Sequence, residues 1–249
     1  MTYLEGVYWD LDGTIANTEL EAHLPAFNNA FVDFNLNWNW DRSTYLDLLK
    51  INGGKNRISY YSKLINKPLN NQEVKKIHEH KQYHYINYVK TNNVISPKAG
   101  VTRLINELQE KKVRQFIVTS SSKKQAKLIT NLLFKESNPF EFIISSDDVQ
   151  FHKPNPLPYL KAMKLSGIKF NKSIVFEDSI PGLRSSLAAK LPTIYVPSNI
   201  PAAINIDMNL DCFIDSLGNE CCKANVIKGP KLDSDYVDCA YLEKYLMTF

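Results

Sequence analysis

Tyr8-Trp9-Asp10-Leu11-Asp12-Gly13-Thr14-Ile15-Ala16-Asn17-Thr18-Glu19 sets two carboxylates, Asp10 and Asp12, one residue apart at the end of an apolar run and directly before a glycine. The run Gly6-Val7-Tyr8-Trp9 has the β-branched and aromatic content of a short buried strand, and Gly13-Thr14 supplies the turn that ends it. Asp10 and Asp12 therefore belong at a strand's carboxyl end, where ligands bind in an open parallel sheet. Two carboxylates so close repel each other unless they share a cation, and hard oxygen donors with room left for phosphate and water suit Mg²⁺. One can then serve as nucleophile and the other as acid and base. Asp and Gly also dominate ordinary turns, so the choice between a turn and a site rests on the rest of the chain.

After Pro97 the pattern alternates between helices and short apolar strands. Val101, Leu104, Ile105 and Leu108 mark a helix, and Phe116-Ile117-Val118 a strand that ends at Thr119-Ser120-Ser121. Lys124 to Phe134 reads as a helix, Phe142-Ile143-Ile144 as a strand, and Pro158 to Leu165 as a helix. Ile174-Val175-Phe176 is a strand, Pro181 to Ala189 a helix, and Thr193 to Val196 a last clear strand. Such alternation implies right-handed crossovers and a parallel sheet.

Between Thr18 and Pro97 no strand stands out. Glu19 to Phe34 has Leu24, Phe27, Phe31 and Phe34 at helical spacing, Ser43 to Ile51 and Lys55 to Ile65 read as short helices on either side of Gly53-Gly54, and Asn71 to Val89 reads as a long polar helix with one buried stripe. The expected organisation is an α/β core from residues 1–17 and 98–249, split by an all-helical insertion over 18–97.

With 249 residues, 44% hydrophobic and 22% charged, the composition is that of a soluble globular protein with a sizeable core. No apolar run approaches the roughly 18 residues that span a bilayer. No basic-then-apolar leader precedes Asp10, which predicts a cytoplasmic protein without membrane attachment. The net charge of +4 comes from scattered lysines, so nucleic acid is not an expected partner, though an anionic small molecule would be attracted. A monomer is expected. Cys212, Cys221, Cys222 and Cys239 lack a metal-type Cys-x-x-Cys spacing and read as reduced thiols.

Because parallel strands share a direction, Ser120 and Ser121, Lys153, and Glu177-Asp178 should meet near Asp10 and Asp12. Ser120, with the amides that start the next helix, could hold phosphate oxygens. Lys153 would neutralise a phosphoryl group and ease its repulsion from Asp10. Asp178, and Glu177 through water, would complete a metal shell. Taken singly, the serines could be an N-cap, Lys153 a solvated loop lysine and Glu177-Asp178-Ser179 a cap before Pro181. The joint order is much harder to reach by chance.

These segments, Asp10-Leu11-Asp12-Gly13-Thr14, Ser120, Lys153-Pro154 and Glu177-Asp178-Ser179, resemble the four motifs of the haloacid dehalogenase superfamily of phosphohydrolases, in order and over nearly the whole chain. The resemblance implies a Rossmann-like core in which Asp10 attacks phosphorus to form an aspartyl-phosphate. Asp12 would protonate the leaving oxygen and then activate water. It also implies Mg²⁺ held by the Asp10 carboxylate, the Asp12 backbone carbonyl and the Asp178 carboxylate.

The helical insertion resembles the cap of the β-phosphoglucomutase and phosphoglycolate phosphatase branch. Phe27-Asn28, Trp38-Asn39-Trp40-Asp41, Tyr45-Leu46-Asp47-Leu48-Leu49 and Gly53-Gly54-Lys55-Asn56-Arg57-Ile58 are similar to the CbbY-type sugar-bisphosphate phosphatases. The activity this implies is hydrolysis of xylulose 1,5-bisphosphate to xylulose 5-phosphate. The residues agree with a doubly charged substrate, one phosphate at Asp10 and the other met by Lys55 and Arg57 beside Gly54. His23 and Tyr45 could hydrogen-bond the sugar, although a packed Tyr45, a helix-surface His23 and a solvated Arg57 are the plainer readings.

Asn17, the remaining candidate contact to substrate, stands where the subfamily usually carries Asp or Glu, and that charged contact does not carry over. Leu157 replaces the Asp usual in Lys-Pro-x-Pro-Asp, which removes a helix cap worth on the order of 1 kcal/mol. The tail from residue 205 onward is weakly informative, with Asp211 to Gly218 fitting a last strand and turn. A β-phosphoglucomutase-like isomerase would use the same four motifs, and a non-catalytic sugar-phosphate sensor is the reading outside enzymology.

Overall fold

Gly6–Trp9, the run that leads into the paired aspartates, is a buried strand at the centre of the sheet, β1. The computed structural model describes residues 3–51, 53–92, 95–135, 137–197 and 210–249. After β1 come a π-helical turn (Glu19–His23) and the helices α1 (Leu24–Asp33), α2 (Arg42–Leu48), α3 (Gly54–Leu64) and α4 (Asn71–Asn92). Then follow α5 (Val101–Glu110), β2 (Arg114–Val118), α6 (Lys123–Phe134), β3 (Phe140–Ile144), α7 (Leu157–Ser166), β4 (Ser173–Glu177) and α8 (Ile180–Ala188). The chain ends with β5 (Thr193–Tyr195), β6 (Cys212–Ile214), β7 (Val226–Lys228) and α9 (Cys239–Leu246). Among the described residues no helix is long and apolar enough to cross a membrane.

The seven strands form one sheet in the order β3-β2-β1-β4-β5-β6-β7. Every pairing is parallel except β6 with β7. β1 is flanked by β2 and β4, with Trp9 opposite Ile117 on one side and Phe176 on the other. The three strands thus end level, and the residues that follow them emerge along one edge. The strand order reverses between β1 and β4, and such a switch point is where an open α/β sheet leaves a crevice. Buried on both faces, the central strands read as continuous apolar runs in the sequence. Tyr8, Phe116, Val118, Ile144, Tyr159 and Val175 form part of the core beneath.

The chain divides into two compact units, residues 1–16 with 96–249 and residues 17–95. Within the first, the two points where the chain leaves and re-enters are tied together. Ala16 bridges Pro97 in antiparallel fashion, and the Lys98 N–H donates to the Ile15 carbonyl at 2.9 Å.

The second unit is helical, as its periodicity predicts. Its core gathers Phe27, Phe31, Trp38, Trp40, Tyr45 and Ile58 with Val74 and Ile77 of α4. Asn28 fixes the connecting loop, since its side chain both donates to the Trp40 carbonyl and accepts from the Trp40 N–H, each at 2.9 Å. The one departure is at the entry. The expected helix from Glu19 to Phe34 opens as a π turn, with the His23 N–H bonded to the Thr18 carbonyl and the Leu24 N–H to that of Glu19. Pro25 explains it: proline has no N–H to continue the ladder, and its ring would crowd the carbonyl four residues back.

Leu157 begins α7 without the usual aspartate, but the cap is not lost. The Asn155 side-chain oxygen accepts from the Leu157 N–H at 2.9 Å, so the acceptor is supplied from two residues upstream. In the tail, the Asp211 to Gly218 reading corresponds to β6 and the turn after it, while residues 205–209 lie outside the described residues. All four cysteines are free thiols, Cys212 and Cys239 buried, Cys221 and Cys222 exposed.

Candidate active site

Beyond Trp9 the chain stays in the sheet for one more hydrogen bond, from the Asp10 N–H to the Phe176 carbonyl at 3.0 Å, and then turns. Gly13 takes a φ of +87°, in the left-handed region that only glycine enters without strain. The Gly13 N–H donates to the Ala16 carbonyl, and the Ile15 and Ala16 N–H groups both reach the Leu11 carbonyl. This knot of backbone bonds holds Asp10 and Asp12 at the mouth of the switch point, Asp10 buried and Asp12 half-buried.

Lys153 lies beside them, buried to 3% exposure. Its ammonium donates to Asp10 Oδ1 at 2.7 Å, to Glu177 Oε1 at 2.6 Å and to the Val118 carbonyl at 2.7 Å. Three acceptors match the three protons of an ammonium. Burial alone would lower its pKa, but Asp10 and Glu177 hold it above the ordinary lysine value, so it stays charged.

Glu177 is fully buried, and both of its oxygens are engaged. Oε1 also accepts from the Tyr159 hydroxyl at 2.5 Å, and Oε2 lies 3.4 Å from the Ser179 hydroxyl. Gly182 in α8 makes room for this carboxylate, because a Cβ there would fall 1.8 Å from Oε2. Glu177 therefore anchors Lys153, an arrangement tighter than the water-linked metal contact expected from sequence. Tyr159 carries no sequence signal, since an aromatic on the buried face of a helix looks the same whether or not its hydroxyl has a task.

Among the described residues, Asp10, Glu177 and Asp178 form the group of acidic side chains close enough to share an ion, with carboxylate oxygens within 4.8 Å of one another. Burial pushes the Asp10 pKa well up, Lys153 opposes this, and Glu177 and Asp178 push it further up. A second cation, Lys98, is lowered by burial and drawn the other way by Asp178 and Asp10. Its place beside Pro97, without any motif around it, hid it from the sequence reading. An all-oxygen donor set with surplus negative charge fits a hard divalent cation.

Ser120 is exposed at the end of β2, and Ser121 is half-buried with its hydroxyl donating to Asp12 Oδ2 at 2.6 Å. Ser122 is the N-cap of α6, in a capping box with Gln125. The three serines thus divide into one open hydroxyl, one bonded to Asp12 and one structural cap. Asp10, Asp12, Ser121, Lys153, Glu177 and Asp178 come together at the strand ends as expected.

In the helical unit, Tyr45 is fully buried among the aromatics, and its hydroxyl donates to Glu19 at 2.5 Å. Arg57 lies 3.9 Å from the same carboxylate, its guanidinium 5.8 Å from the Tyr45 ring, with Nε donating to the Ile51 carbonyl. Arg57 is therefore not a solvated face. His23 is buried as well, stacked on Tyr85 at 4.2 Å, with Nδ1 2.6 Å from the Lys81 ammonium. Lys55 is exposed at the start of α3, Gly54 packs against His78, and Asn17 is exposed. Lys81 and His78 were missed, although a lysine on the apolar stripe Val74, Ile77, Lys81, Tyr85, Val89 is a signal the sequence contains.

Comparison with known proteins places this geometry. Residues 7–196 match the haloacid dehalogenase-like hydrolase family. Protein CbbY of Cupriavidus necator is 32% identical over 206 residues, covering 80% of each chain. The crystal structure of CbbY from Rhodobacter sphaeroides in complex with phosphate superposes with a TM-score of 0.76 at 28% identity, over 86% of this chain and 94% of that one. A mutant of that protein in complex with xylulose-(1,5)bisphosphate superposes equally well, with a TM-score of 0.76 at 27% identity and the same coverage. The match spans both halves of the split α/β unit and the helical segment between them, and the chain belongs to the haloacid dehalogenase-like hydrolase family as a CbbY-like phosphatase.

Proposed function

We propose that this phosphatase is Mg²⁺-dependent and hydrolyses a sugar bisphosphate, xylulose 1,5-bisphosphate, to xylulose 5-phosphate and phosphate. The observation that carries the reading is the buried Asp10–Lys153–Glu177 chain at the strand ends, with Asp12 and Asp178 beside it. Lys153 occupies Asp10 Oδ1 and so orients the carboxylate with Oδ2 as the attacking oxygen. Attack forms an Oδ2–phosphorus bond and breaks the bond from phosphorus to the sugar oxygen, which takes its proton from Asp12. Ser121, bonded to Asp12, positions that carboxyl group. Asp12 then removes a proton from water as the water opens the aspartyl-phosphate. Mg²⁺, held by Asp10, Asp178 and the Asp12 carbonyl, would offset the negative charge that gathers on the phosphoryl oxygens. Lys153 adds its fixed charge, and Ser120 offers an open hydroxyl to the same oxygens.

The helical unit supports a second anionic group on the substrate. Lys55 and Arg57 lie in the first turn of α3, whose cap, Gly53, has no side chain to occupy the free amides. The bound sugar bisphosphate of the CbbY mutant structure makes this the leading substrate class. A panel of sugar mono- and bisphosphates incubated with the protein and Mg²⁺ tests it. Release of free phosphate from xylulose 1,5-bisphosphate in preference to monophosphates is expected. Isomerised sugar phosphate without free phosphate, or no turnover of any bisphosphate, overturns it.

A further inference from the structure

His78 of α4 is a half-buried imidazole set among cations. Its ring lies against Gly54, where an added Cβ would sit 2.8 Å from both Cδ2 and Nε2, with Phe27 of α1 closing the same contact. The ring therefore fills the space beside the start of α3. The charged groups whose fields reach it are Lys55 and Arg57 of α3, Lys81 of α4 and His23 of the π turn. Glu19, the acid nearest Arg57, is engaged by Tyr45 and by Arg57 itself. Burial, and then Lys81, Lys55, His23 and Arg57, push the His78 pKa down to about 3, so the ring is neutral in the free protein.

An independent observation lies one turn along α4. The Gln82 amide nitrogen is 3.5 Å from His78 Nε2, while the Gln82 amide oxygen is buried without a hydrogen-bond partner among the described residues. A neutral ring with an unprotonated Nε2 can accept from that amide. A protonated ring has a hydrogen on each nitrogen and needs an acceptor instead, which the orphaned oxygen supplies once the amide turns over.

We propose that His78 is the proton-linked member of an anion site in the helical unit: a phosphate group held by Lys55 and Arg57 draws one proton from solvent onto His78 Nε2, and the Gln82 amide turns to accept it. This rests on the reading that the helical unit receives the second phosphate of the substrate. A phosphate dianion cancels the charges that keep the ring neutral and offers oxygens of its own to the site, so the ring's proton affinity rises on binding. By reciprocity, binding strengthens as pH falls, by up to about tenfold per pH unit between the bound and free titration points. His78 thereby favours substrates with a second phosphate over those with one.

The test uses the full chain carrying Asp10→Asn, with nitrogen-15 spectra of the histidine rings recorded near pH 6 as xylulose 1,5-bisphosphate is added. The His78 ring is expected to pass from the neutral to the imidazolium pattern at saturation. His78→Gln should weaken bisphosphate binding about tenfold more near pH 6 than near pH 8, a ratio against the parent chain in which the phosphate's own titration cancels. Gln82→Leu keeps the ring, removes its acceptor and should reduce the fraction protonated, which covers the case in which His78→Gln folds poorly. Tight bisphosphate binding with the ring still neutral overturns the proposal and leaves the proposed function standing. Failure of the bisphosphate to bind at all overturns both.

Discussion

A lysine with 3% exposure is tolerated in the core because Asp10, Glu177 and the Val118 carbonyl satisfy all three of its protons. The desolvation cost of such a group is repaid only when every donor finds an acceptor. The same bonds fix Asp10, the nucleophile of the proposed mechanism, so the stability of the core and the geometry of the proposed chemistry are one arrangement. Tyr159 is its least conspicuous member. Tyr159→Phe leaves Glu177 Oε1 with Lys153 alone, and it should cost about 1–3 kcal/mol in urea unfolding while lowering kcat more than it raises KM. A cost near zero would mean that the hydroxyl does not support the site. Asp10, Asp12, Lys153 and Asp178 were legible in the sequence because charged side chains at strand ends are chemically conspicuous. Tyr159 and Lys98 were not, since their roles come from three-dimensional neighbours distant in the chain.

At the scale of elements, α4 shows how a polar helix holds a buried stripe. Val74, Ile77, Lys81, Tyr85 and Val89 are all buried at helical spacing, and the Lys81 ammonium lies 4.9 Å from the Phe27 ring and 5.1 Å from that of Tyr85. His78 beside this stripe makes the stability of the free protein depend on pH. Its folded-state pKa of about 3 lies below the value of about 6.5 it has in an unfolded chain, so the unfolded chain takes up the proton first as pH falls. The His78 contribution is full above about pH 6.5 and is lost progressively toward pH 3. Between pH 7 and pH 5 the loss is on the order of 1–2 kcal/mol, and urea unfolding of His78→Gln at those two values should show a correspondingly flatter dependence. Equal slopes for variant and parent would contradict the assignment. The existence and type of α1 to α4 were legible from apolar periodicity. The π turn before α1 was not, because it arises from Pro25 acting on the preceding backbone.

For the whole molecule, the split of the α/β unit and the convergence of its strand ends followed from alternation alone, since right-handed crossovers leave few ways to order a parallel sheet. The end of the chain was harder. β7 is three residues long, antiparallel and mostly exposed, so it leaves no apolar run to find. α9 does carry a pattern in the sequence, with Asp238 as its N-cap and Cys239, Tyr241, Leu242, Tyr245 and Leu246 on a buried face. What the fold brings about is the placement of one buried carboxylate, Asp10, at the switch point of the sheet with its counter-charge already in place. The most direct test of that claim is phosphate release from xylulose 1,5-bisphosphate by the parent chain and by Asp10→Asn, each with Mg²⁺ and with a chelator. Turnover should require Mg²⁺ and fall below about a hundredth in Asp10→Asn. Retention of about a tenth of the parent rate or more in that variant would contradict Asp10 as the nucleophile.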